Sequence, residues 1–243
     1  MTEPRIEVLA DAESLARAVA GELLSRLTAA QTGGEDPQVA LTGGSIADRV
    51  HRHLGDIGAE SPVDWSRVGI WWGDERFVTA DSDERNAGQA RRAFLGRVDV
   101  DPAHVHEAPA ADHAASVEDA AAAYDGELRQ HLPGAFEVVM LGLGPDGHVA
   151  SLFPGHPALD VTDRWAVAVT ESPKPPPERV SLTFPALGRS RAVWFVVSGE
   201  DKADAVARAL APDGDLHDTP ARGAGGDAGE VVWFLDSAAA TRL

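Results

Sequence analysis

The chain contains no cysteine, which excludes disulfides, thiolate nucleophiles and cysteine-ligated metals. No stretch approaches the ~18 consecutive apolar residues of a membrane-spanning helix. Lysine is nearly missing, standing only at Lys174 and Lys202. With 21 Lys+Arg against 39 Asp+Glu, the formal net charge is −18. No basic stripe interrupts that acidity, so nucleic acid is not an expected partner. The first twenty residues carry four acids and lack a basic start followed by an apolar run. No secretory signal is read there, and a soluble cytoplasmic protein is expected.

What is present is ordinary globular material, 44% hydrophobic and 25% charged over 243 residues. That length buries a sizeable core, and without a linker or repeat we expect one domain over residues 1–243. Leu15, Val19, Leu23 and Leu27 recur every four residues, the spacing of one helical face, with Asp11 or Ser14 as the cap. Val39–Leu41, residues 67–72, 136–143, 165–170, 192–198 and 231–235 read as strands, and Ile6 with Val8 as a short one. Helices are expected after Ser45, over 116–131 and over 201–210. Repeated strand–helix alternation predicts an α/β fold, doubly wound, with a mainly parallel sheet and helices on both faces. Four prolines in SPKPPPER (172–179) exclude helix there. Residues 212–230, rich in Gly and Asp, read as a mobile surface loop.

Ligands of such sheets bind where strands pass into loops at their carboxyl ends. Three such loops stand out. In LTGGS (41–45), Gly43 and Gly44 let the backbone approach an anion at a helix N-terminus, and Thr42 and Ser45 add hydroxyls. The competing reading is a tight turn that needs glycine for geometry alone. In WWGDERFV (71–78), Arg76 is the simplest bidentate grip for an anion, unless the charges form only a solvated turn. The third loop, LGLGPDGHVASLFPGH (141–156), holds a formal G-x-G-x-x-G at Gly142, Gly144 and Gly147. A dinucleotide fold is rejected, because Pro154 and Pro157 leave little more than two turns for the helix it requires.

What remains in that loop is Asp146-Gly147-His148. Histidine is the side chain whose ordinary pKa suits proton transfer near neutrality, and a nearby aspartate can take its second ring proton. A loop histidine bonded to backbone is the plainer alternative. His51-x-His53 points apart on a helix, His104-x-His106 lacks a third ligand, and no G-x-S-x-G elbow occurs.

With these loops in order, the chain resembles the 6-phosphogluconolactonases, within the larger group that includes glucosamine-6-phosphate isomerase/deaminase. The matching segments are LTGGS, WWGDERFV with DSDERN, LGLGPDGHVASLFPGH, SPKPPPERVSLTFPAL, VSGEDKADAV and VVWFLDSAAA. They cover most of the chain from residue 41 onward. The resemblance implies hydrolysis of 6-phosphoglucono-1,5-lactone in the pentose phosphate pathway, with no metal and no organic cofactor. It implies His148 as catalytic histidine with Asp146 beside it, Gly43, Gly44 and Ser45 at the phosphate end, and Arg76, Arg179 and Lys202 at basic positions. Thr42, Ile46 and Ala47 depart from the commoner Ser, Thr and Pro, and Arg222 is a doubtful functional residue.

The mechanism expected is water attack assisted by His148, with backbone N–H groups around Gly144 and Gly147 facing the oxyanion. A monomer is expected. The rivals are a sugar-phosphate isomerase or deaminase and a non-catalytic sugar-phosphate-binding regulator. VASLFPGH after the DGH triplet, where the deaminase branch resembles IAFNEP, favours the lactonase.

Overall fold

The computed structural model describes residues 3–243. In chain order the elements are β1 (Arg5–Leu9), α1 (Ala12–Thr32), β2 (Gln38–Leu41), α2 (Ser45–Ile57), β3 (Gly69–Trp72), β4 (Asp74–Arg76), α3 (Asn86–Ala93), α4 (Val117–His131), β5 (Val138–Leu141), β6 (Ala166–Val169), β7 (Arg179–Leu182), α5 (Phe184–Gly188), β8 (Ala192–Val197), α6 (Ala203–Leu210) and β9 (Glu230–Asp236). Asp11 caps α1 by accepting from the Ser14 N–H at 2.7 Å. Ser116 caps α4, accepting from the Asp119 N–H at 3.1 Å. Such caps satisfy N–H groups that the helix itself cannot.

Six strands form one parallel sheet in the order β1-β9-β8-β5-β2-β3. Alternate residues face opposite sides, so two cores result. Leu41, Trp72, Met140, Trp194 and Phe234 pack against α1, α2 and α3; Ala40, Trp71, Val139, Phe195 and Trp233 pack against α4, α5 and α6. Near-continuous burial of β2, β3, β5 and β8 follows from having both faces covered.

The strand expected over 165–170 exists, but it lies outside the parallel sheet. It is the edge of a second, antiparallel sheet, β4-β7-β6. Two strands of that sheet escape a reading by pattern, because DER has no apolar residue and RVSL, though it alternates, is only four residues long beside a proline-rich segment. Within residues 212–230 the first part lies on the surface as expected, but Thr219, Pro220, Ala221 and Ala224 are buried and pin the segment down. No helix of the described residues is long and apolar enough to cross a membrane.

Candidate active site

From β2 the chain moves to β3 on one side and later returns to β5 on the other. The carboxyl ends of β2 and β5 therefore flank a switch point, where open α/β sheets bind ligands. A cleft of about 260 Å³ lies there, lined by Thr42, Gly43, Gly44, Asp74, Arg76, Asn86, Gly142, Leu143, Gly144, His148, Ala150, Lys174, Pro175 and Arg179.

Gly44 caps α2 at φ 102°, a conformation that favours glycine, and no side chain caps the helix. The first N–H groups of α2 are thus open for an anion. A Cβ on Gly43 would come within 2.0 Å of Asn86 Oδ1, so only glycine lets that amide lie across the turn. Asn86 in turn accepts from Arg76 Nη1 at 3.1 Å and donates to the Asp74 carbonyl at 2.9 Å. Buried Glu75 seats α3 by accepting from the N–H groups of Arg76, Asn86 and Ala87 at 2.7, 2.8 and 2.9 Å. Burial pushes its carboxyl above the usual range.

Arg76 and Arg179 stand directly opposite each other across β4 and β7, and both line the cleft. Like charges in register across two strands destabilise a sheet. Two guanidinium groups so placed make a site suited to an anion. Arg179 is anchored through Nε and Nη2 to the carbonyls of Pro176, Lys174 and Pro175, and its Nη1 lies 3.9 Å from Asp74. Asp74 is fixed by the Ser151 hydroxyl at 2.6 Å. Burial lowers the Arg179 pKa, Asp74 opposes the shift, and Arg76 adds to it.

At the other end, His148 Nδ1 lies 2.5 Å from Asp146 Oδ1. Burial disfavours the Asp146 carboxylate, but the His148 hydrogen bond and charge outweigh it and hold the group down at about 2. An ionised carboxylate only accepts, so Nδ1 is the donor of this bond, and in a neutral imidazole so held the lone pair is on Nε2. A Cβ on Gly144 would meet His148 Nδ1 at 2.0 Å and Asp146 Oδ1 at 2.3 Å. This glycine is the bed on which the pair lies. Phe153 packs on the imidazole, ring centroids 4.6 Å apart.

The structure brings Thr42, Gly43, Gly44, Arg76, Gly144, His148 and Arg179 together in one cleft, with Asp146 behind the imidazole. Ser45 is exposed at the start of α2 and does not line it. Lys202 lies outside as well, with Nζ 2.9 Å from Asp201. The N–H of Gly144 donates to the His148 carbonyl and that of Gly147 to the Gly144 carbonyl, both at 2.9 Å. These two amides close the turn and do not face the cleft as donors. No α-helix opens at His148; the next helical segment is a single 3-10 turn at Pro157–Asp160. Sequence reasoning missed Asp74, Asn86 and Lys174. For Lys174 a signal existed, one of only two lysines set in a proline-rich loop. Burial lowers its pKa, Asp146 opposes this, and Lys202 and Arg179 reinforce it. No group of His, Asp and Glu among the described residues is arranged to hold a metal ion.

The family described as glucosamine-6-phosphate isomerases/6-phosphogluconolactonase matches residues 10–233. A 6-phosphogluconolactonase from Streptomyces coelicolor is 45% identical, covering 99% of this chain and 95% of its own. One from Mycobacterium tuberculosis is 42% identical over 98% of both. The solved 6-phosphogluconolactonase of Trypanosoma brucei superposes with a TM-score of 0.86 at 28% identity, covering 99% of this chain and 98% of its own. By sequence and by fold, this chain belongs to the glucosamine-6-phosphate isomerase/6-phosphogluconolactonase family.

Proposed function

We propose that the protein hydrolyses 6-phosphoglucono-1,5-lactone to 6-phosphogluconate in the pentose phosphate pathway, with His148 as general base. The observation that carries this reading is the Asp146–His148 pair, 2.5 Å apart, at a cleft whose other wall is the open N-terminus of α2 and a facing pair of arginines. Full-length relatives named for this activity support the substrate class.

The phosphate sits against Gly43, Gly44 and the α2 N–H groups, within reach of Arg76 and Arg179. Ser45 and Lys202 contribute charge and hydrogen-bonding capacity from outside the cleft wall. Held at that end, the ring presents C1 to His148, so binding energy at the phosphate is converted into position. His148 Nε2 takes a proton from water as the oxygen attacks C1, and Asp146 holds the imidazole in the required tautomer. The proton then passes to the ring oxygen as the C1–O bond breaks, which opens the lactone to the carboxylic acid. With the Gly144 and Gly147 amides engaged in the turn, charge developing on the carbonyl oxygen faces the cationic wall of Lys174 and Arg179.

The test is lactone disappearance measured against its spontaneous hydrolysis. Enzyme-dependent loss that is abolished in His148→Ala supports the reading. A rate equal to background, or ammonia release from glucosamine-6-phosphate, overturns it.

A further inference from the structure

A second cavity, of about 440 Å³, is larger than the catalytic cleft and shares no lining residue with it. It opens between α6 and the 212–230 loop, and its volume is within the range of small-molecule sites. Its floor is apolar and closely packed, with Phe195 and Trp233 both buried. Phe195 of β8 and Trp233 of β9 stack with centroids 3.9 Å apart and planes at 6°. Ala209, Leu216 and Val231 continue the apolar lining.

One charge, Arg222, lines this cavity. Its Nη1 donates to the carbonyls of Arg208, Ala209 and Ala211 at 2.9, 3.3 and 2.7 Å, which closes the end of α6. Its Nη2 reaches only the Pro212 carbonyl, at 3.4 Å. Among the described residues no carboxylate pairs with it, in a chain with 18 surplus acids. The guanidinium is therefore fixed in place by the carbonyls at the α6 C-terminus, with no carboxylate on it, at the edge of an apolar chamber.

We propose that this cavity binds a small apolar monoanion, its hydrocarbon body against Ala209, Leu216 and Val231 and its carboxylate against Arg222. Charge complementarity selects the anion, and the apolar walls select the hydrocarbon body.

The test is calorimetric titration of the full chain with 2-naphthoate, in excess 6-phosphogluconate to fill the catalytic cleft. The expected result is one site per chain, with binding weaker by about tenfold or more for the neutral isostere 2-naphthamide, a difference of ~1.4 kcal/mol. Ala209→Trp fills the chamber and Leu216→Glu sets a like charge in it. Each loses naphthoate binding while lactone hydrolysis and melting temperature stay at parental values, which keeps the test independent of the catalytic reading. The assignment is overturned by an absence of binding, by equal affinity for the amide, by displacement with 6-phosphogluconate, or by binding that survives both variants. Ile6 and Val8 are exposed on the same sheet face, beside Trp233 and Leu235. A dimer in sedimentation that excludes naphthoate as protein concentration rises would assign the face to a second copy and likewise overturn it.

Discussion

At the scale of single residues, the proposed chemistry rests on a pair that lies two positions apart in the chain. Asp146 is held at about 2, so it stays ionised across any ordinary working range. Its contribution to stability is complete above the usual carboxylate pKa near 3.8, and is lost only as pH falls through 2. His148→Ala is expected to lower kcat by about 10²- to 10⁴-fold with the melting temperature unchanged. Circular dichroism beside the lactone assay separates that loss from misfolding. Asp146→Asn keeps the shape but removes the tautomer control, and a loss on the order of 10²-fold or more is expected. Gly144→Ala tests the bed beneath the pair. The new methyl overlaps both His148 Nδ1 and Asp146 Oδ1, so it should resemble Asp146→Asn in kinetics, with kcat falling more than KM rises. The pair was legible in the sequence because its members are neighbours and glycine between them frees the backbone. Asp74 and Asn86 were not, since no local pattern says that β4 and α3 converge on one cleft.

At the scale of elements, α2 links the proposed phosphate end of the cleft to the core. Its turn is conditioned by α3, because Asn86 occupies the space that a side chain on Gly43 would need. Gly43→Ala should displace Asn86 and with it Arg76. A shift of ~1 Å at a binding group costs on the order of 10²-fold, and here it should appear chiefly in KM for the phosphorylated lactone. An unchanged KM would show that the arginines, not the turn, position the substrate.

The same helix carries a pH dependence. His51 is fully buried, and burial drives its pKa from 6.5 down to about 4, with Asp48 opposing weakly. Its Nε2 has no hydrogen-bond partner among the described residues. The folded state thus prefers neutral imidazole, while the unfolded chain takes up a proton near 6.5. Stability is complete above 6.5, declines as pH falls toward 4, and then levels, for a total on the order of 3 kcal/mol. Urea denaturation at several pH values should show this slope, and His51→Leu should flatten it. The long helices and the buried parallel strands were legible because their periods are clean. The small sheet was not: three- and four-residue strands of DER and RVSL are defined by their register with each other, which only the folded chain sets.

At the scale of the whole molecule, acidity and anion binding have to coexist. The chain holds 39 acids against 21 basic residues, yet Arg76, Arg179 and Lys174 line one cleft. Two length scales reconcile them. Within the cleft, cations and helix N–H groups act at contact distance, where screening is weak; the surplus acids act across tens of ångströms of water, where it is strong. Bulk repulsion among those acids therefore works against the compact state, and it is the part that salt removes. Raising ionic strength from about 0.01 M to about 0.15 M shortens the screening length from ~30 to ~8 Å. The melting temperature should rise over that interval in sodium chloride. Exposed ion pairs such as Arg52–Asp48 and Arg97–Asp56 weaken in the same interval, but each contributes little at the surface. A fall in melting temperature would mean that such local pairs outweigh the net charge, and the acidity would then need a cause other than tolerance of long-range repulsion.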